Sequence, residues 1–99
     1  MKITFSSVFE ADFADLITYF AREVSPELSV RFENRMIQAV ELIAGTPEIG
    51  RRRKELKPSD LRSFRVEGFD SYLIFYQVRA DDVLFIRVLH GAMDLPAVF

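Results

Sequence analysis

The sequence has 99 residues, 49% of them hydrophobic, and a formal net charge of −2. This length predicts a single domain over residues 1–99 with one hydrophobic core. Ten phenylalanines and the hydrophobic fraction exclude a disordered chain. The chain has no cysteine and one histidine, which excludes a disulfide framework and argues against a structural zinc site. We therefore expect no metal site and no cofactor.

The sequence predicts neither a signal peptide nor a membrane span. The N-terminal residues MKITFSSVFEADF lack a long apolar run, and acidic residues follow quickly. No stretch of about 18 uncharged apolar residues occurs anywhere in the chain. We expect a cytoplasmic protein with no membrane association.

Charge is distributed unevenly along the chain. Residues 1–50 carry four basic and eight acidic side chains, net −4, whereas residues 51–99 carry nine basic and seven acidic, net +2. Five of the basic residues lie in the stretch Arg51–Lys57. Such a patch suits an acidic partner, either nucleic acid or a protein segment, although a solvated loop between elements has the same composition.

The first half of the chain predicts a strand followed by two helices. Residues Lys2–Ser6 alternate in polarity as a short strand does. Ser7 and Glu10 have the spacing of a capping box at the start of the first helix. The second helix is predicted to begin at Ser25-Pro26 and to stop at Gly45-Thr46-Pro47. Because almost no loop joins the two helices, we expect an antiparallel helical hairpin.

The second half predicts a basic loop and three strands. Residues 46–60 form the loop, with room for one helical turn in Arg51–Lys57, and hairpin turns separate the runs Leu61–Glu67, Tyr72–Arg79 and Val83–His90. The result is an α+β fold of order β-αα-βββ: an N-terminal strand, the helical hairpin, then three antiparallel strands, with the helices on one face of the sheet. The predicted core residues are Phe13, Phe20, Phe32, Val40, Ile74, Ile86 and Val88.

Arginines interrupt the apolar pattern of the predicted strands. Strand alternation predicts that Arg65 and Arg87 point away from the helices. Beside Tyr72 or Tyr76 on an open sheet face, they would suit phosphate contact and base stacking, or docking of a peptide. The alternative is that they pair with nearby carboxylates at little energetic gain.

His90 and the C-terminal residues each allow two interpretations. His90 ends the last strand and is either hydrogen-bonded to the following turn or a general acid or base in RNA cleavage. The apolar ending, residues 95–99, either folds back over an edge of the core or belongs to a partner surface.

Taken together, these segments resemble a known family. The segments that carry the resemblance are Leu61-Arg62-Ser63-Phe64, Tyr72-Leu73-Ile74-Phe75-Tyr76, Arg87-Val88-Leu89-His90-Gly91-Ala92 and Asp94. In the first half, the acidic first helix and Pro47-Glu48-Ile49-Gly50-Arg51 agree with it. The chain resembles the ParE branch of the RelE/ParE toxin superfamily over nearly its whole length.

The resemblance implies the toxin of a type II toxin–antitoxin module. Such a toxin inhibits DNA gyrase without catalysis and is neutralised by a ParD-like antitoxin whose C-terminal segment wraps it; direct sequence-specific DNA binding is not expected. The alternative from the wider superfamily is a ribosome-dependent mRNA endonuclease using His90, Arg87, Arg65 and Tyr76. Residues expected to bind the antitoxin or the target are Arg51, Arg52, Arg53, Arg62, Tyr72, Arg87, His90, Met93 and Asp94.

The chain departs from the family pattern at one position near its end. The family's usual ending is His-Gly-Ala-Arg-Asp, whereas here Met93 stands between Ala92 and Asp94. The change removes a fixed cation and a bidentate donor. A third hypothesis is therefore an attenuated toxin that acts only as an antitoxin-binding module.

Overall fold

The computed structural model describes residues 1–99. Its elements are β1 (Lys2–Phe5), α1 (Ser7–Glu23), α2 (Pro26–Gly45), a 3₁₀ turn (Pro47–Ile49), β2 (Arg51–Arg52), β3 (Arg62–Val66), β4 (Phe69–Val78), β5 (Asp82–His90) and α3 (Leu95–Val98). The predicted α+β order of strand, helical hairpin and three strands is confirmed, and β2 and α3 are additions to it.

The five strands form one mixed sheet in the order β1-β5-β4-β3-β2. β1 pairs with β5 in parallel, and every other pair is antiparallel. β4 begins at Phe69 rather than at Tyr72, because the chain reverses in the two residues Glu67 and Gly68. Gly68 has φ +81°, a conformation that glycine adopts without strain. The helical turn considered for Arg51–Lys57 is wrong: Arg51 and Arg52 form an edge strand on β3.

Serine side chains fix the helical hairpin. Ser6, not the predicted Ser7, caps α1, since its Oγ accepts the N–H of Phe9 at 3.0 Å. Ser25 caps α2 as predicted and accepts the N–H of Leu28 at 3.1 Å. Ser29 Oγ donates to the carbonyl of Ile17 at 2.9 Å and ties the two helices together. Neither helix has the length and apolarity needed to cross a membrane.

The main core lies between the helical hairpin and one face of the sheet. It is rich in aromatic rings, with Phe32 packed 4.8 Å from Phe20 and 5.0 Å from Phe69, centroid to centroid. Of the predicted core residues, Phe13 is only half-buried against this cluster and Ile86 packs elsewhere. The other five are buried here: Phe20, Phe32, Val40, Ile74 and Val88.

A bulge in β5 makes the strict alternation predicted for this strand wrong. Arg87 pairs with Phe75, but the next residue of β4, Tyr76, pairs with Phe85, so Ile86 is an extra residue. Phe85 and Val88 therefore both face the helices although they are three residues apart. Ile86 packs instead against a second cluster on the opposite face of the sheet.

That second cluster shows that the far face of the sheet is not fully open. Leu56 and Leu61, from the loop after β2, and Leu95 of α3 cover Phe75 and Leu89. Phe99 packs 4.8 Å from the Phe75 ring. The C-terminal residues therefore fold back over the core, one of the two predicted alternatives.

Candidate functional site

The sequence-predicted site residues fall into separate surfaces of the fold. The first is an arginine cleft of about 580 Å³ on the far face, lined by Arg51, Arg53 and Arg65 with Ser63 between them in the sheet. Arg51 pairs with Ser63 across β2 and β3, and Arg65 lies two residues further along β3. Asp70 is the one acidic residue in its lining. The cleft therefore concentrates positive charge at this end of the sheet.

Arg53 is the anchored member of the arginine cleft. Its side chain is 11% exposed and lies over the Phe75 ring, with Cζ 5.8 Å from the centroid. Nε donates to Glu55 at 2.8 Å and a terminal nitrogen donates to Ser63 Oγ at 3.1 Å. Arg51 and Arg65, by contrast, are exposed and have no ion-pair partner.

Arg62 and Tyr76 hold the 3₁₀ turn against the sheet. Arg62 donates to the carbonyls of Glu48 and Gly50 at 3.1 and 2.8 Å. The Tyr76 hydroxyl donates to the carbonyl of Pro47 at 2.7 Å and accepts the N–H of Gly50 at 2.8 Å. Tyr76 is fully buried, and burial raises the pKa of its hydroxyl. The structure thus gives both side chains a role in binding this turn.

Arg87 lies opposite Phe75 in the sheet, as the alternation with Val88 predicts, but its guanidinium is not free on the far face. Its guanidinium binds Asp12 of α1 in a two-pronged pair, at 2.9 and 3.0 Å. Asp12 also accepts the backbone N–H of Val88 at 3.2 Å. The hydrogen bonds that Arg87 donates to Asp12 raise the pKa of Arg87. β1 pairs with residues 82–85 of β5, and the Asp12–Arg87 pair lies along the same edge of β5 beyond them.

Tyr72, His90 and Met93 line a shallow hollow of about 270 Å³ at the end of β4 and β5. The rings of Tyr72 and His90 meet edge to face at 5.2 Å. His90 Nδ1 accepts the N–H of Ala92 at 3.0 Å, so the histidine is hydrogen-bonded to the turn that follows it. Met93 is 46% exposed, and Asp94 precedes α3 without a side-chain capping bond.

The four residues of the endonuclease alternative are not brought together. Tyr76 is buried beneath the 3₁₀ turn and Arg87 is paired with Asp12. β4 separates β3, which carries Arg65, from β5, which carries His90. No single pocket is lined by two of these four side chains.

An apolar groove on the helical side was missed by the sequence analysis. Two adjoining hollows of about 640 and 380 Å³ share the side chains of Phe5, Phe13 and Ile37. Phe5 is 42% and Ile37 48% exposed. Ile37 was the available signal, because it is an apolar residue outside the buried stripe of α2. Acidic side chains line the groove: Glu10, Glu33 and Glu41.

The chain is a small α+β protein with an arginine cleft on one face of its sheet and an apolar groove on the helical side. Residues 3–95 match the family model described as the ParE toxin of the type II toxin–antitoxin system, parDE. The chain belongs to this family of toxins.

Two known proteins are similar to this chain, one in sequence and one in structure. Toxin ParE3 of Caulobacter vibrioides (strain ATCC 19089 / CIP 103742 / CB 15) is 33% identical over 64 residues, which are 65% of this chain and 60% of that protein. A solved chain of the chromosomal ParDE TA system from P. aeruginosa has a TM-score of 0.76 at 13% identity, covering 91% of this chain and 95% of that one. The likeness to the solved chain supports the fold. The match to Toxin ParE3 spans less than two thirds of that protein's length.

Proposed function

We propose that this toxin inhibits DNA gyrase by binding rather than by catalysis, and that a ParD-like antitoxin neutralises it. Membership of the ParE family is the observation that carries the proposal. The dispersal of His90, Arg87, Arg65 and Tyr76 over different parts of the fold favours binding over RNA cleavage.

The apolar groove is the proposed docking site for the C-terminal segment of the antitoxin. Phe5 and Ile37 leave apolar surface exposed to water where the two hollows, of about 640 and 380 Å³, adjoin. An amphipathic segment laid in such a groove gains affinity from apolar anchors at regular spacing. A large contact area offsets the entropy lost when a disordered segment becomes ordered.

The charge around the groove indicates the chemistry of the segment. Glu10, Glu33 and Glu41 line it, and the groove itself contributes no basic side chain. We therefore expect apolar anchors flanked by lysine or arginine in the antitoxin segment, because opposite charges at the rim favour association and register.

A pair of variants on α2 tests the docking site. Ile37→Lys places a cation in the groove, whereas Val30→Lys makes the same change at a residue that is 57% exposed and does not line the groove. We expect Ile37→Lys to weaken antitoxin binding at least about tenfold and Val30→Lys to leave it within about twofold. Calorimetric titration with the purified antitoxin measures both, and equal affinities would refute the site.

Expression in growing cells tests the toxin itself. We expect growth arrest that co-expression of the antitoxin relieves, with full-length mRNA and broken DNA. Position-specific mRNA cleavage that is lost in His90→Ala would instead establish the endonuclease. Normal growth together with tight antitoxin binding would establish the attenuated module.

A further inference from the structure

The arginine cleft contains more positive charge than the fold neutralises. Three guanidinium groups line one concavity, and the only acidic side chain in its lining is Asp70. Three other arginines in strands or at their ends are bonded: Arg62 by carbonyls, Arg79 by Asp82, and Arg87 by Asp12. Arg52 of β2 is exposed and unpaired, but it does not line the cleft. Arg51 and Arg65 have no such partner. Like charges converging without compensation favour an anionic ligand between them.

Two segments of the chain supply the three arginines of the cleft. Arg51 lies on the edge strand β2, Arg53 follows it and is fixed over Phe75, and Arg65 is on β3. Guanidinium groups bind phosphate oxygens through paired N–H donors. A tetrahedral phosphate can accept donors from several directions, whereas a planar carboxylate presents two oxygens in one plane.

The remaining walls of the arginine cleft are apolar. Ile49 is 40% exposed beside Arg51, and Phe64 and Leu73 are half-buried at the other walls. An unstacked base has an apolar face that can cover such a wall while its phosphate meets the arginines. The paired bases of a duplex are stacked inside the helix and cannot do so.

We infer that the arginine cleft binds a single-stranded nucleic acid, with a backbone phosphate held by Arg51 and Arg65 and a base against the apolar wall. Arg53 also lines the cleft, but its charge is paired with Glu55 and its side chain lies over Phe75. The site lies on the opposite face of the sheet from the apolar groove proposed for the antitoxin. Since the contacts are to phosphate and to base faces, binding is without sequence preference.

The test is anisotropy of labelled oligo-dT and oligo-U, each about twelve nucleotides long, with the purified full chain. We expect both to bind, because the phosphates and the base faces are common to the two probes. Binding should fall roughly sevenfold between about 50 and about 200 mM salt if about two phosphates are contacted. Inorganic phosphate should compete.

Charge-matched double variants locate the site. Arg51→Glu with Arg65→Glu should weaken oligonucleotide binding at least about tenfold. Arg22→Glu with Arg31→Glu makes the same net change on exposed helical residues outside every hollow of the fold, and binding should fall less than about threefold. All four positions are exposed, and thermal melting confirms that both variants fold.

Three results would overturn the inference. One is the absence of saturable binding at low salt. Another is an equal loss of binding in the two double variants, which would reduce the effect to net charge. The third is poly-glutamate binding as tightly as the oligonucleotides with the same dependence on Arg51 and Arg65, which would make the cleft a site for an acidic peptide.

Discussion

At the residue scale, one buried hydroxyl connects the sheet to the segment that carries the arginine cleft. Tyr76 bonds both Pro47 and Gly50, and a side chain at Gly50 would meet its ring, because a Cβ there would lie 2.8 Å from Tyr76 Cε1. Gly50 is therefore required by close packing, not by its backbone conformation, since its φ is −74°. The sequence marked Tyr76 as a candidate for catalysis, whereas its contacts are structural.

Tyr76→Phe should destabilise the fold by about 1–3 kcal/mol, because the buried N–H of Gly50 and carbonyl of Pro47 lose their partner. Urea denaturation monitored by circular dichroism measures the change. Tyr19→Phe is the matched control, since Tyr19 is 50% exposed and should change stability by less than about 0.5 kcal/mol. An equal effect at both positions would contradict the role given to the Tyr76 hydroxyl.

Asp82 should make stability depend on pH in acid. The hydrogen bond from Arg79, at 2.7 Å, and a second from Thr4, at 2.6 Å, hold the pKa of Asp82 well below its usual range. The native state therefore binds the Asp82 proton less readily than the unfolded chain, whose pKa is about 3.9. This contribution is complete above the unfolded pKa and is lost as the pH falls through the lower folded value.

Denaturation of the wild type and of Asp82→Asn across the acid range tests whether the stabilisation by Asp82 is lost as the pH falls. The advantage of the wild type should be constant from neutral pH to about pH 5 and should shrink below about pH 4. An advantage that grows on acidification would contradict it. Asp81→Asn, at an exposed neighbour without an ion pair, should show no such change.

At the element scale, the junction of β1, α1 and β5 shows why some of the fold could be read from the sequence and some could not. The capping pattern at Ser7 and Glu10 and the signals at Ser25-Pro26 and Gly45-Thr46-Pro47 are local, and they located both helices to within about one residue. The parallel pairing of β1 with β5 joins residues about eighty positions apart, and no local pattern encodes it. Arg87 alternates with Val88 as predicted and lies opposite Phe75, but its side chain pairs with Asp12, 75 positions away, and no local pattern predicts that contact.

The Asp12–Arg87 pair gives this junction a measurable coupling. Both side chains are mostly buried, at 14% and 29% exposed, and removing one leaves the other without its partner. We expect Asp12→Ala and Arg87→Ala to be non-additive, with a coupling of about 0.5–3 kcal/mol in a double-mutant cycle of unfolding free energies. Additive effects would show that the pair does not fasten α1 to β5.

Met93 is a position that the sequence identified, in a hollow that the sequence could not predict. The hollow that it lines also contains Asp15 and Asp12, on the acidic first helix, so the arginine usual in the family would find carboxylates nearby. Met93→Arg should therefore leave stability within about 0.5 kcal/mol, as thermal melting can check. A large loss would mean that the hollow does not accept an arginine. The resemblance identified this position, while the hollow itself depends on three elements meeting in space.

At the scale of the whole molecule, two surfaces of opposite character lie on opposite sides of the sheet. The helical side has an acidic, apolar groove, and the far side has the arginine cleft. The charge asymmetry between the two halves of the sequence anticipated this division. The groove could not be predicted, because Phe5 and Ile37 belong to different elements and become neighbours only when β1 pairs with β5 beneath the hairpin.

The most direct test of the central proposal is a plasmid assay with purified gyrase and ATP that scores supercoiling and trapped DNA cleavage. The proposed function predicts that the chain inhibits supercoiling and leaves cleaved plasmid, and that added antitoxin reverses both effects. Met93→Arg, run alongside, shows whether the arginine usual at this position increases the inhibition. Unchanged supercoiling and intact plasmid with both folded proteins would contradict gyrase as the target.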